Sequence, residues 1–165
     1  MLLLSFRPWP ARLFGVGAHM EDLSDAALYQ AVGLATVGSQ IFERVFVVAV
    51  RFAVKQDNVH SFDEIKTVEA AAAFKQPTRA LLKEISGHAQ IEHLEDRISR
   101  LIEDRHRVIH RLTEKGGWPG PSTDAQRREI LELCTRVRFE SVSLNEALAP
   151  LMASWISRFP EIKLP

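Results

Sequence analysis

A single cysteine, Cys134, stands among 165 residues. Its solitude excludes an internal disulfide and any C-x-x-C redox or zinc motif, and leaves a buried structural thiol as the reading. Net charge is also missing, because 21 basic side chains balance 21 acidic ones. Composition alone therefore does not announce a nucleic-acid binder, and any such role rests on local charge. No apolar run is read as approaching the roughly 20 residues of a membrane span. The opening "MLLL" is cut short by Arg7, Pro8 and Pro10, so no signal-peptide core is expected and the chain reads as cytoplasmic, with no membrane partner. Period-two alternation, internal repeats and low-complexity tracts are absent, which argues against sheets, solenoids and disordered linkers.

What remains is a balanced globular composition, 46% hydrophobic and 25% charged. A chain of this length buries roughly two-thirds of its unfolded surface, so one domain forms without disulfides or a structural metal. Residues 1–20 hold no acid, two prolines and two glycines, and fit no amphipathic template; a poorly ordered tail is expected there. Met20 opens the acidic start "MEDLSDAALYQ", where the native chain is expected to begin.

From about Ser24 to Lys55, Leu34, Val37, Ile41, Val45, Val48 and Phe52 recur at steps of three and four, predicting a long helix with that face inward. Ser61 and Glu64 have capping-box spacing and open a second, shorter helix that Pro77 interrupts. "TRALLKEI" then resumes as a helical piece that stops at Ser86-Gly87. A third main helix runs from about Gln90 to Glu114 on a stripe of Leu94, Ile98, Leu101, Ile102, Val108, Ile109 and Leu112, ended by "KGGWPGPS". Thr123 and Gln126 make another capping box. Ile130, Cys134, Val137, Ser141, Leu144, Leu148, Leu151 and Trp155 then form a heptad-like seam that Pro150 should kink. The expected fold is all-α, a bundle of about four to five helices with long antiparallel members.

Within the third helix "EDRHRVIHRL" carries the chemistry. On a helical wheel Arg105 falls inside the apolar stripe, where a guanidinium that cannot shed its charge needs a partner or an anion. His106 and His110 sit at the edge of that stripe, while Arg97, Arg100, Arg107 and Arg111 make the later turns basic. The plain account of those arginines is helix-dipole complementarity on a solvated face. Glu43 is expected as an exposed acid of the first helix, with pairing to Arg105 across the bundle as the alternative. Trp118 is expected to pack its loop onto the bundle, and Trp155 and Phe159 to be core.

Arg105, polar His106, three intervening residues and His110, late on a long helix of an all-helical chain, resemble the R-x-x-x-x-H signature of HEPN domains (higher eukaryotes and prokaryotes nucleotide-binding). That helix commonly reads E-x-R-N-x-x-x-H, and "EDRHRVIH" fits with His106 in the polar slot; "TRALLKEI" is similar to a segment often found one helix earlier. The resemblance covers roughly residues 24–157 by architecture and about ten residues by motif, making residues 21–158 a HEPN-like domain followed by a tail at 159–165.

The resemblance implies a metal-independent endoribonuclease working as a homodimer on RNA without a cofactor. It also implies a possible toxin role in a toxin–antitoxin or phage-defence pair with an antitoxin protein. It gives His110 as general acid/base, Arg105 as phosphate clamp and His106 as a supporting polar group; Arg107 and Arg111, on the basic later turns, are the expected substrate-binding residues. The products would be a 2′,3′-cyclic phosphate and a 5′-hydroxyl. Some toxin members carry a tyrosine two residues after the histidine, the target of a nucleotidyltransferase antitoxin. Leu112 stands there, and the chain's single tyrosine is Tyr29, so that mode of neutralisation is not supported. A catalytically inactive HEPN-like binding or dimerisation module and an unrelated helical protein are the alternatives. The rival chemistry, a metal site using the His106/His110 spacing and Glu103-x-x-His106, lacks the second Glu-x-x-His that a di-iron bundle needs, and its arginines would repel a cation.

Overall fold

A computed structural model of the chain describes residues 22–54, 78–114 and 118–158, apart from the side chain of Phe52. All regular structure among them is helical: α1 (Asp25–Val48), α2 (Thr78–Glu84), α3 (Glu95–His110) and α4 (Asp124–Ile156). The N-terminal tail, the helix expected after Ser61 and the segment from Phe159 onward lie outside the described residues.

Ser24 starts α1 by accepting the amide of Ala27 through its hydroxyl, and Asp25 places a negative charge on the first turn, where the helix dipole favours it. The helix passes into one wider π-helical stretch over Ala49–Val54. Thr123 and Gln126 form the expected reciprocal capping box at the start of α4, which continues through Pro150. Gly87, at φ 77°, turns the chain after α2 in the left-handed region that favours glycine. The Glu95 carboxylate then accepts the Gly87 amide at 2.5 Å and the Ser86 hydroxyl at 2.8 Å. A 3-10 turn at Glu92–Leu94 leads into α3, which ends at His110, four residues earlier than expected.

Cross-links fix the helix directions. Arg127, near the start of α4, reaches Asp25 at 2.8 Å and the Leu23 carbonyl at 2.7 Å, so α1 and α4 start at the same end and run the same way. Arg97 pairs with Glu140 at 2.7 Å and Asp104 with Arg136 at 2.6 Å, which sets α3 antiparallel to α4. The α1–α4 contact is close, since a Cβ added at Gly38 would already touch Ser141 Cβ at 3.9 Å. Small residues permit it. The buried Ser39 and Ser141 hydroxyls donate to the carbonyls of Thr36 (2.9 Å) and Val137 (2.7 Å) on their own helices, so neither hydroxyl is stranded at the crossing.

This crossing corrects the sequence reading of α1. The helix buries Leu28, Ala35, Ser39, Phe42 and Phe46 rather than the expected upper stripe, leaving Leu34 40% and Val37 54% exposed. Two apolar stripes compete on α1, and the one carrying small residues wins its upper half because it lets the backbones approach. The lower members of the expected stripe, Val45 and Val48, are buried as read. The stretch Asp25–Arg51, α1 with the first π turns, contains an 18-residue window of mean hydropathy 1.4 and is long and apolar enough, by length and composition only, to cross a membrane, unlike the expectation that no apolar run approaches a span. Part of that stretch packs into the bundle.

α3 turns Ile98, Leu101 and Val108 inward, with Leu94 buried in the 3-10 turn before it, Ile102 and, past its end, Leu112 half-buried, and Ile109 exposed. The seam of α4 matches the reading at Cys134, Val137, Ser141, Leu144, Leu148 and Trp155. Trp118 is buried and lies 4.9 Å, ring centre to ring centre, from Tyr29.

Burial pushes the Cys134 thiol from its ordinary 9.0 up to about 12. The folded chain thus holds a proton that the unfolded chain releases above pH 9, so stability is unaffected below that pH and falls as pH rises toward 12. The expected slope above pH 9 is about 1 kcal/mol per pH unit. Urea midpoints at pH 8 and 10.5 should show this component in the wild type and lose it in Cys134→Ala.

Candidate functional site

Because Arg105 lies on the core-facing side of α3, its long side chain reaches out along the seam toward α1. Its Nη2 lies 2.9 Å from Glu43 Oε2 in an ion pair, and both side chains keep only 27% of their surface exposed. The other oxygen of Glu43 accepts the Thr78 hydroxyl at 3.1 Å. One carboxylate therefore ties α1, α2 and α3 together. Glu43 is half-buried and paired, not the exposed acid expected of it. The Arg105 Nε is buried and, among the described residues, has no hydrogen-bond partner, so the guanidinium is only partly satisfied by Glu43.

His106 and His110 lie one turn apart on α3 and both face solvent, their rings 4.9 Å apart and tilted by 45°. Among the described residues neither has an ion-pair or hydrogen-bond partner. Glu103, which would complete a metal or hydrogen-bonding group with His106, is paired with Arg79 of α2 instead. No group of three or more His, Cys, Asp or Glu side chains able to hold a metal occurs among the described residues.

Five residues at 100° each set His110 about 140° around the helix from Arg105. One chain thus gathers Arg105, His106 and His110 at the same end of α3 without converging them on one point: the arginine is drawn to α1 while the imidazoles stand in the open.

Arg107 and Arg111 occupy the opposite flank, toward the start of α4, and line a cavity of about 180 Å³ between the two helices. Arg107 is held loosely by Asp104 at 3.2 Å, and Arg111 approaches Glu114 only to 3.9 Å, beyond hydrogen-bond distance. Arg136 binds the other Asp104 oxygen, and that bond keeps its guanidinium protonated even more firmly than usual. Arg97 is spent on Glu140 and on Ser143 at 2.8 Å, while Arg100 bonds back to the Asp96 carbonyl at 3.2 Å. The basic run therefore divides into brace and reserve: Arg97 and Arg100 are engaged along the bundle, and Arg111 is the least committed.

Sequence reasoning missed Thr78 and the Asp104–Arg136 tie. Thr78 left a signal, a polar residue at the first position after Pro77, whereas Arg136 sits on a polar face among similar residues and left none. Comparison of the chain with family models, curated proteins and solved structures finds no match.

Proposed function

We propose that the chain is a HEPN-like, metal-independent endoribonuclease, acting as a cytoplasmic homodimer and serving as the toxin of a toxin–antitoxin or phage-defence pair. The observation that supports this reading is Arg105, a permanent cation half-buried at a helix seam, incompletely satisfied, beside two solvent-facing imidazoles on the same helix end. A purely structural arginine in such a place is expected to satisfy its donors. In a two-fold dimer the surfaces around His106 and His110 of each copy would face one another, since a C2 contact uses the same patch twice.

The reaction then follows from the residue types. One His110 takes the proton of an RNA 2′-hydroxyl, and the 2′-oxygen forms a bond to phosphorus as the bond to the 5′-oxygen breaks. The partner copy's histidine returns a proton to that leaving oxygen. Arg105 offers its remaining N–H groups to the charged phosphoryl oxygens, and His106 orients the substrate or His110. The ends formed are a 2′,3′-cyclic phosphate and a 5′-hydroxyl, and no metal takes part.

One observation favours a second reading, a HEPN-like module without catalysis. The Arg105–Glu43–Thr78 tie already gives the arginine a bracing role between three helices. The two readings part on one assay: purified protein incubated with RNA in EDTA, with end-group analysis of the fragments. Wild type is expected to yield cyclic-phosphate ends and His110→Ala to lose at least a hundredfold in rate. Cleavage that survives His110→Ala, or none by the wild-type dimer, removes the catalytic reading.

A further inference from the structure

The cavity between the end of α3 and the start of α4 is lined by groups that the cleavage chemistry does not use. At about 180 Å³ it falls below the roughly 300 Å³ at which pockets for drug-sized ligands begin, a size that admits one base rather than a dinucleotide. Its apolar part comes from buried Leu133 and half-buried Ile130, which suit the face of a flat ring. Its polar part is mixed in sign: Arg107 and Arg111 bring donors, and Glu114 and Glu129 bring carboxylate acceptors, of which Glu114 is the one that Arg111 approaches, at 3.9 Å. Gln126 adds an amide whose oxygen is taken by the Thr123 amide at 2.8 Å, leaving its NH₂ to donate.

Simple anion binding does not explain this set, because a carboxylate in the same cavity works against a phosphate. A base with donors on one edge and acceptors on the other does. Guanine presents N1–H and N2–H₂ side by side, which a carboxylate accepts in bidentate fashion, and presents O6 and N7 as the acceptor pair that arginine bonds best. Adenine offers an acceptor, N1, where guanine has a donor, so a carboxylate meets a lone pair there. Uracil has a single N–H on that edge, and cytosine, with no ring N–H, offers a carboxylate only its exocyclic amine.

We propose that this cavity is a base-recognition subsite that takes a guanine of the RNA strand, with Glu129 on its N1/N2 edge and Arg107 and Arg111 on its acceptor edge or adjoining phosphate. The inference rests on the proposed RNA substrate, but its test does not depend on turnover. Calorimetric titration of His110→Ala protein with GMP, AMP, UMP and CMP is expected to show GMP binding at least tenfold tighter than the others. Glu129→Gln, an exposed position, should abolish that preference without lowering the melting temperature. A six-nucleotide RNA with one guanine should bind tighter than GMP, and its inosine counterpart, lacking N2–H₂, weaker than the guanine form. Equal affinity for the four nucleotides, absence of saturable binding at millimolar concentration, or a preference that survives Glu129→Gln overturns the guanine assignment. GMP binding as tightly as the RNA overturns the strand reading in favour of a free-nucleotide site. Ribonuclease inactivity of the wild type beside intact GMP selectivity would fail the cleavage reading alone.

Discussion

On the proposed ribonuclease reading, Arg105→Ala is expected to lower RNA cleavage by about two to three orders of magnitude, the usual cost of deleting one group that stabilises transition-state charge. The substitution leaves Glu43 with the Thr78 hydroxyl as a partner and enough exposure to take up water. The stability cost should therefore stay near that of one hydrogen bond to a charged group, about 1–3 kcal/mol. A protein of this size tolerates such a loss at 25 °C if its total stability is in the usual range of about 5–15 kcal/mol. The activity loss thus greatly exceeds any loss of folded protein. Arg105→Lys sharpens the point, because a lysine keeps the charge but not the planar fork, and should restore pairing to Glu43 better than it restores turnover. Circular-dichroism melting beside single-turnover cleavage checks both. If activity tracks folded fraction across Ala, Lys and wild type, the arginine is a brace and nothing more.

Phe46→Ala is expected to be the most destabilising single change in α1, at about 3–5 kcal/mol. The ring is 0% exposed and stacks on Phe42 with centroids 5.7 Å apart and planes 21° from parallel. Its removal leaves a hole bordered by residues held rigidly by the close α1–α4 contact, so collapse to refill it is limited. For a chain of this length the melting temperature should fall by roughly 6–20 °C. Phe139→Ala supplies the contrast. That ring is exposed on the outer face of α4, and its loss should change stability by about 0.5 kcal/mol or less. Comparable effects at the two positions would mean that α1 and α4 are not packed as described.

Element type and the caps were legible because they depend on neighbours in sequence. Thr123 and Gln126 bond each other across three residues, and Gly87 adopts the one backbone conformation that its flanking pattern needs. The α4 seam was legible for a related reason: its large side chains sit at a single unbroken period. The face of α1 was not. Choosing between the Leu34/Val37 stripe and the Leu28/Phe42/Phe46 stripe requires knowing that Ser141 waits opposite Gly38, a partner about a hundred positions away. In the candidate site, the anomaly of Arg105 could be read from the wheel alone, since a permanent charge in an apolar stripe is conspicuous in one dimension. Its pairing with Glu43 could be named only as an alternative to an exposed acid, and the part played by Thr78 not at all, because ion pairing across helices depends on crossing angle and side-chain reach. The cavity beside Arg107 and Arg111 was invisible for the same reason, being made where one helix ends and another starts.

The shared direction of α1 and α4 has a consequence for the birth of the chain. Their starts are joined by Arg127 to Leu23 and Asp25, so α1 docks against a helix synthesised about a hundred residues later. Translation at about 5–20 residues per second separates the two by roughly 5–20 s. Throughout that interval residues 26–42, a stretch without a single charge, lack α4, against which their small residues pack. The nascent chain should therefore depend on a holding chaperone more than a bundle of adjacent hairpins would, and its yield should be most sensitive to conditions that slow synthesis between α1 and α4.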